Sequence, residues 1–201
     1  MTKKAGQKKR ETEVYATAAR LFARKGFHAT RMQDIANELG MQKGSLYYYF
    51  NSKDELLRKL VTGSVQEAQN SLQAILETER PPAQKLATAL DEHLRILQQN
   101  ADLHLINAQE ILMSLDAETA VTTKAILKEY ENTWAAIVQE GIDAGHFRSD
   151  LDPKIIIKAL LGLTNSTLTW FEPAGRLSRQ EIAQIFAELI MNGLHLDNAT
   201  N

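Results

Sequence analysis

The stretch that decides the fold is Thr30–Lys53, TRMQDIANELGMQKGSLYYYFNSK. It reads as two short helices joined by a tight turn. Thr30 and Gln33 have the spacing of an S/T-x-x-E/Q capping box, which predicts a helix beginning near Arg31. Ile35, Ala36 and Leu39 form an apolar stripe at helical spacing, and Gly40 stands where a left-handed residue ends such a helix. A second helix is predicted over 42–49. In it Leu46, Tyr49 and Phe50 recur at i, i+3 and i+4 and face inward, which leaves Lys43, Gly44, Ser45, Tyr47 and Tyr48 facing out. One reading makes Leu46–Phe50 an aromatic core patch. That holds for Tyr49 and Phe50, but successive helix residues point about 100° apart, so three consecutive tyrosines do not share one core. A helix of two turns is not stable alone. Its exposed basic, hydroxyl and aromatic groups fit a recognition helix whose first turn enters the major groove of duplex DNA, with tyrosine and serine hydroxyls on phosphates.

Working outward, the N-terminal side carries Lys3, Lys4, Lys8, Lys9 and Arg10, a basic arm suited to phosphate or minor-groove contact. A helix is predicted from about Gln7 to Lys25, with Val14, Ala18, Leu21 and Phe22 on its buried face. Residues 1–60 hold 13 Lys and Arg against 6 Asp and Glu, net +7, whereas the whole chain of 201 residues is −2 and the remainder therefore −9. One end is drawn to polyanions and the other is repelled. On the C-terminal side Ser52 and Glu55 form a second capping box. It opens a helical period that runs to Pro81-Pro82, about 27 residues and about 40 Å long by its rise. Further helices are predicted around Leu86–Leu97, over 103–115, 116–145, 155–171 and 178–193. Asp152 caps the next to last with Pro153 at its first position, and Ser178 with Glu181 makes a third capping box. The expectation is an all-α protein of nine helices: a helix-turn-helix domain over 1–52 and a helical bundle over 53–201.

Cysteine is absent, so neither a disulfide framework nor a Cys-ligated metal is available. The N-terminus lacks an apolar signal-peptide core and no segment reads as a membrane span, so the expected location is the cytoplasm. His93 and His104, with Glu92 and Glu110 nearby, have no metal-ligand spacing. No G-x-G-x-x-G, P-loop, G-x-S-x-G or H-E-x-x-H occurs; an enzyme, a cofactor and a metal are not expected. The last two helices offer more apolar surface, including Ile155, Ile156, Leu160, Ile185 and Leu189, than one small bundle buries. A two-fold partner uses the excess, and a dimer places two recognition helices about 34 Å apart on one face of DNA.

Asp34-Ile35-Ala36, Leu39-Gly40, Gly44-Ser45-Leu46-Tyr47-Tyr48-Tyr49-Phe50 and Lys53-Asp54-Glu55-Leu56-Leu57 closely resemble the DNA-binding domain of TetR-family transcriptional regulators. The resemblance implies a nine-helix, homodimeric repressor released from its operator by a small molecule. It places Arg31, Met32 and Gln33 at positions approaching DNA from the first short helix. Lys43, Gly44, Ser45, Tyr47, Tyr48 and Tyr49 fall on recognition-helix contacts and Lys53 on a phosphate-binding lysine; Tyr49 stands where histidine is common. The segment Trp170–Ser178 is similar to that of regulators responding to acyl-CoA thioesters. This implies that Arg176 pairs with CoA phosphates and that Trp170 stacks on adenine or lines the acyl path. A capped helix with a core tryptophan and a solvated arginine remains the other reading of that segment. Asn107 and Glu110 interrupt an apolar helix and, with Trp134, complete the candidate ligand set, though they equally suit a solvated face. Two alternatives stay open for the C-terminal domain: sensing of another hydrophobic compound, or dimerisation alone.

Overall fold

The computed structural model describes the backbone of residues 2–105 and 116–194 and the side chains of 10–104 and 116–194. Every described element is a helix: α1 Thr2–Lys25, α2 Met32–Glu38, α3 Lys43–Tyr47, α4 Lys53–Leu76, α5 Pro82–Gln99, α6 Ala101–Leu105, α7 Ala117–Asp143, α8 Pro153–Asn165, α9 Thr167–Trp170 and α10 Arg179–Leu194. The helix expected from Gln7 begins at Thr2, so the basic run forms the first turns of α1 and is not a separate arm.

The chain divides into two compact units, Met1–Val65 with Asn100–Lys124, and Gln66–Gln99 with Ala125–Asn201. The first is built on Val14, Leu21 and Phe22 of α1, Met32, Ile35 and Ala36 of α2, Leu46 of α3, and Phe50. Leu56, Leu57, Leu60 and Val61 of α4 complete the same core, joined by Leu103 of α6. The boundary expected at residue 52 therefore falls inside a core: helices this short cannot bury enough apolar surface by themselves, and the first turns of α4 supply the rest.

The second unit packs α5 against α10 and α8, and α8 against α9 and α10. Its main core joins Leu72 of α4, Leu86 and Leu90 of α5, Trp134, Ile137 and Val138 of α7, and Ile157 and Leu160 of α8. Lys85, although charged, is buried: its ammonium donates to both Glu140 carboxylate oxygens and to the Leu76 carbonyl, each at 2.8 Å. That closes the C-terminal end of α4 with a paired cation, the arrangement in which a buried charge is tolerated.

One expected helix is broken. In place of a single helix over 155–171, α8 stops at Asn165 and α9 restarts at Thr167. The Thr164 hydroxyl donates to the Leu160 carbonyl at 2.9 Å, that of Ser166 to Leu163 at 2.7 Å, and that of Thr167 to Thr164 at 2.7 Å. Hydroxyls that compete for main-chain carbonyls loosen and bend a helix, and here they follow one another within a single turn.

Candidate functional site

Three features of the first unit set the geometry of α2 and α3. The first is the entry to α2, where the box expected between Thr30 and Gln33 is displaced by one residue. Asp34 accepts from the Arg31 main-chain N–H at 2.8 Å. Thr30 is 1% exposed, and its hydroxyl donates backwards to the Gly26 carbonyl at 2.8 Å, closing the end of α1. Burial decides between the two: a threonine turned into the core cannot also reach the outer face of the next helix.

The second feature is the turn. Gly40 has φ of 62°, its N–H donates to Asn37 at 3.1 Å, and that of Met41 donates to Ala36 at 2.8 Å. These are the paired bonds of a Schellman ending, which requires the left-handed residue that Gly40 provides. The third is the entry to α4. Ser52 accepts from the Glu55 N–H at 3.0 Å, and Glu55 reaches back to the Asn51 N–H at 2.8 Å. The Lys59 ammonium, 2.8 Å away, together with the Asn51 bonds holds the Glu55 carboxyl down to about 2.

This has a pH consequence. Because the folded value lies below the ordinary 4.5, the Glu55 contribution is complete above that pH and is lost as pH falls from about 4.5 towards 2. The Arg31 N–H lowers Asp34 in the same sense. The melting temperature is expected to fall through that window, and Glu55→Gln to flatten the fall; identical pH profiles for the two proteins would overturn the assignment.

On this frame the expected DNA-facing residues separate into groups. Arg31, Gln33, Lys43, Gly44, Ser45, Tyr47 and Tyr48 are exposed. Tyr48 is the extreme case at 80%, while the Lys43 ammonium leans over the Tyr47 ring, 5.6 Å from its centroid. Tyr49 is half-buried: its ring meets Tyr48 edge-on at 5.4 Å and lies 6.5 Å from Phe50, so it serves both face and core. The α3 helix itself ends at Tyr47, earlier than the predicted Tyr49.

Two residues need correction. Met32 is only 6% exposed and packs with Ile35 and Ala36 in the core, so its side chain does not face DNA. Lys53 donates to the carbonyls of Phe27, His28 and Thr30 at 2.6, 3.3 and 3.0 Å, and its ammonium lies 4.3 Å from the Phe27 ring centroid. Its ammonium hydrogens are thus directed at the α1–α2 turn, a positioning role in place of the expected phosphate grip. Lys53→Ala is expected to destabilise the chain by about 2 kcal/mol, the scale of hydrogen bonds to a charged group. Urea denaturation reads it, and an unchanged midpoint would return Lys53 to the DNA face.

The expected ligand residues do not converge. Trp134 is fully buried in the second unit's core. Trp170 is half exposed, donates its indole N–H to the Ser166 hydroxyl at 3.2 Å and meets the Phe186 ring edge-on. Arg176 is exposed beyond the Glu172–Gly175 turn. The Ser178 N–H first, and Arg176 more weakly, lower the Glu181 carboxyl. Asn107 and Glu110 lie outside the described residues. Sequence reasoning missed the pairing of His93 with Tyr130, Nδ1 to Oη 2.8 Å. The signal available for it was Tyr130 and Trp134 at i, i+4 on one face of α7.

The family model for bacterial regulatory proteins of the tetR family matches residues 14–60, and that for tetracyclin repressor-like C-terminal domains matches 79–194. The chain belongs to the TetR family. It is a DNA-binding transcriptional regulator with an N-terminal helix-turn-helix and a C-terminal helical domain, and the family is one of regulators, not enzymes. Among its relatives, the transcriptional repressor KstR2 of Mycolicibacterium smegmatis is 28% identical over 92% of this chain and 90% of its own length. The solved structure of the ketosteroid transcriptional regulator KstR2 of Mycobacterium tuberculosis aligns with TM-score 0.81 at 24% identity, covering 94% of this chain and 96% of that one. That of AibR in complex with isovaleryl coenzyme A and operator DNA aligns with TM-score 0.70 at 21% identity, covering 90% and 97%. Among the described residues no helix is long and apolar enough to cross a membrane.

Proposed function

We propose that the chain acts in the cytoplasm as a homodimeric repressor that leaves its operator when a hydrophobic small molecule, an acyl-CoA thioester by preference, occupies the C-terminal domain. The observation that carries the DNA half of this reading is the outward group on α2 and α3. Lys43, Gly44, Ser45, Tyr47 and Tyr48 are exposed around a helix anchored by the fully buried Leu46. An exposed tyrosine at 80% with a neighbouring lysine and serine offers nothing to the fold; it offers hydroxyl and ammonium donors to phosphates and base edges. Arg31 and Gln33 extend the face from the start of α2, and Tyr49 flanks it.

Dimerisation through α8 and α10 is supported by what those helices leave uncovered. Ile155 is 62% exposed, and Ala159 and Gly162 follow it at i+4 and i+7 on the same exposed face of α8. A Cβ on Gly162 would meet nothing within 4 Å, which leaves room for another helix to approach closely. On α10, Ile185 and Leu189 are exposed at i, i+4. Apolar groups in such a row are the mark of an association surface.

The effector half rests on the C-terminal resemblance and on AibR, whose solved complex holds isovaleryl coenzyme A. Exposed Trp170 and Arg176 supply an aromatic face and a guanidinium of the kind that takes adenine and phosphate. A ligand releases DNA only through unequal affinity for two states of the dimer. The element available to couple them is α4, whose first part belongs to one unit and whose last part to the other.

The test begins with a duplex selected by the protein from a random pool. Lys43→Ala is expected to weaken that duplex by about 1–3 kcal/mol and relax its base preference, while Tyr48→Phe weakens all sequences alike. Fluorescence anisotropy at several salt concentrations reads both. If neither substitution alters salt-sensitive binding, the DNA face has been misassigned. If no acyl-CoA or other hydrophobic ligand releases the duplex, the C-terminal domain only dimerises.

A further inference from the structure

In the core of the second unit three aromatic rings meet at nearly equal spacing. His93 of α5 and Tyr130 and Trp134 of α7 have centroids 6.0, 6.1 and 6.2 Å apart, and Trp134 stands edge-on to both partners, at 88° and 86°. His93 and Tyr130 are hydrogen-bonded to one another. Burial, the largest influence, pushes the Tyr130 phenol well above its ordinary value, so it is neutral at any physiological pH.

The other buried polar side chains of this unit are matched within it. Gln69 donates to the Thr133 hydroxyl at 3.1 Å, Lys85 is closed by Glu140, and Thr164 and Thr167 donate to carbonyls. The Trp134 indole N–H differs. It is fully buried and lies near the Tyr130 hydroxyl, yet it has no acceptor in hydrogen-bonding geometry. A buried donor without an acceptor is costly and calls for an explanation. Phenylalanine or leucine would fill the same space without that cost.

The surroundings define what could satisfy it. The charged groups on the same helices are already engaged: both Glu92 oxygens accept from Arg95 at 2.7 Å, and Glu140 accepts from Lys85. A phosphate or carboxylate brought here would be an unpaired charge among Leu72, Leu86, Leu90 and Ile137. We propose that the Trp134 N–H, backed by the Tyr130–His93 pair, is the donor for an uncharged carbonyl oxygen on the apolar part of the effector. The CoA portion of a thioester stays outside this core, and the acyl or ring portion bearing a carbonyl enters it. The proposal rests on the reading of the C-terminal domain as a sensor.

The chain has two tryptophans, so Trp170→Phe leaves Trp134 as the sole tryptophan emitter. Androst-4-ene-3,17-dione, isovaleryl-CoA and stearoyl-CoA serve as probes, each carrying a neutral carbonyl. At least one is expected to shift Trp134 emission to the red in the Trp170→Phe protein. Trp134→Phe is expected to raise that probe's Kd by about tenfold while leaving duplex affinity in the absence of probe unchanged. Should Trp134→Phe fail to fold, the emission shift decides alone. A probe that stabilises the protein and releases the duplex without moving Trp134 emission overturns this proposal and leaves the sensor reading standing. If none of the three binds or releases DNA, the sensor reading falls and the proposal with it.

Discussion

Leu189→Arg is expected to convert the dimer to monomers at micromolar concentration and to weaken duplex binding by about 10²–10⁴-fold, the advantage a second linked site confers. Leu189 is 61% exposed and belongs to none of the buried cores. The substitution therefore costs the protomer little, and circular dichroism should show unchanged helix content. In the proposed dimer the arginine meets its own symmetry copy or the neighbouring Ile185, placing charge where apolar groups face each other. A two-fold interface doubles the penalty, because each substitution occurs twice. Sedimentation velocity separates the outcomes. A dimeric Leu189→Arg protein with full duplex affinity places the interface elsewhere, whereas a monomer with full affinity removes the dimer from the recognition mechanism.

The all-α architecture and the identity of the DNA-binding unit were legible because each rests on local signals that agree. The spacing of Ile35 and Ala36, the glycine at 40, and Leu46 with Phe50 encode two short helices and the face that each buries. What the sequence misplaced was decided by burial. Thr30 and Asp34 are both good capping residues one register apart, and only the core's claim on Thr30 assigns the cap to Asp34. Lys53 has the same formula whether it holds a phosphate or three main-chain carbonyls, and the carbonyls, from Phe27, His28 and Thr30, are brought to it by the fold. Met32 resembles its exposed neighbours in position but not in polarity, a clue that the family pattern overrode. The break at Ser166 was visible in Thr164-Asn165-Ser166-Thr167, a run of poor helix formers outweighed by the apolar residues on either side. The candidate ligand residues were the least legible. A tryptophan in a core and one beside a ligand satisfy the same helical period, and only the lack of an acceptor for the Trp134 N–H distinguishes it.

Gly44→Leu is expected to weaken duplex binding by at least about 100-fold, about 2.7 kcal/mol, with a change in folding stability below about 1 kcal/mol. Gly44 sits in the first turn of α3, and the chain itself supplies no reason for a glycine there. Its φ is not positive, and an added Cβ would meet nothing within 4 Å. Glycine inside a helix is a weak helix former, about 0.5–1 kcal/mol less favourable than alanine. A five-residue helix that keeps one at an open position does so against its own stability. What needs the missing side chain then lies outside the protomer, and the first turn of a recognition helix is where main chain and DNA approach most closely. A graded series follows: Gly44→Ala leaves stability level or slightly raised and costs part of the affinity, and Gly44→Leu costs most of it. Thermal melting and anisotropy on the same preparations separate the two quantities. Parallel losses of stability and affinity would mean that Gly44 serves the fold. Full affinity in Gly44→Leu would mean that α3 enters the groove by another edge, with Lys43 and Tyr47 and not Gly44 against the bases.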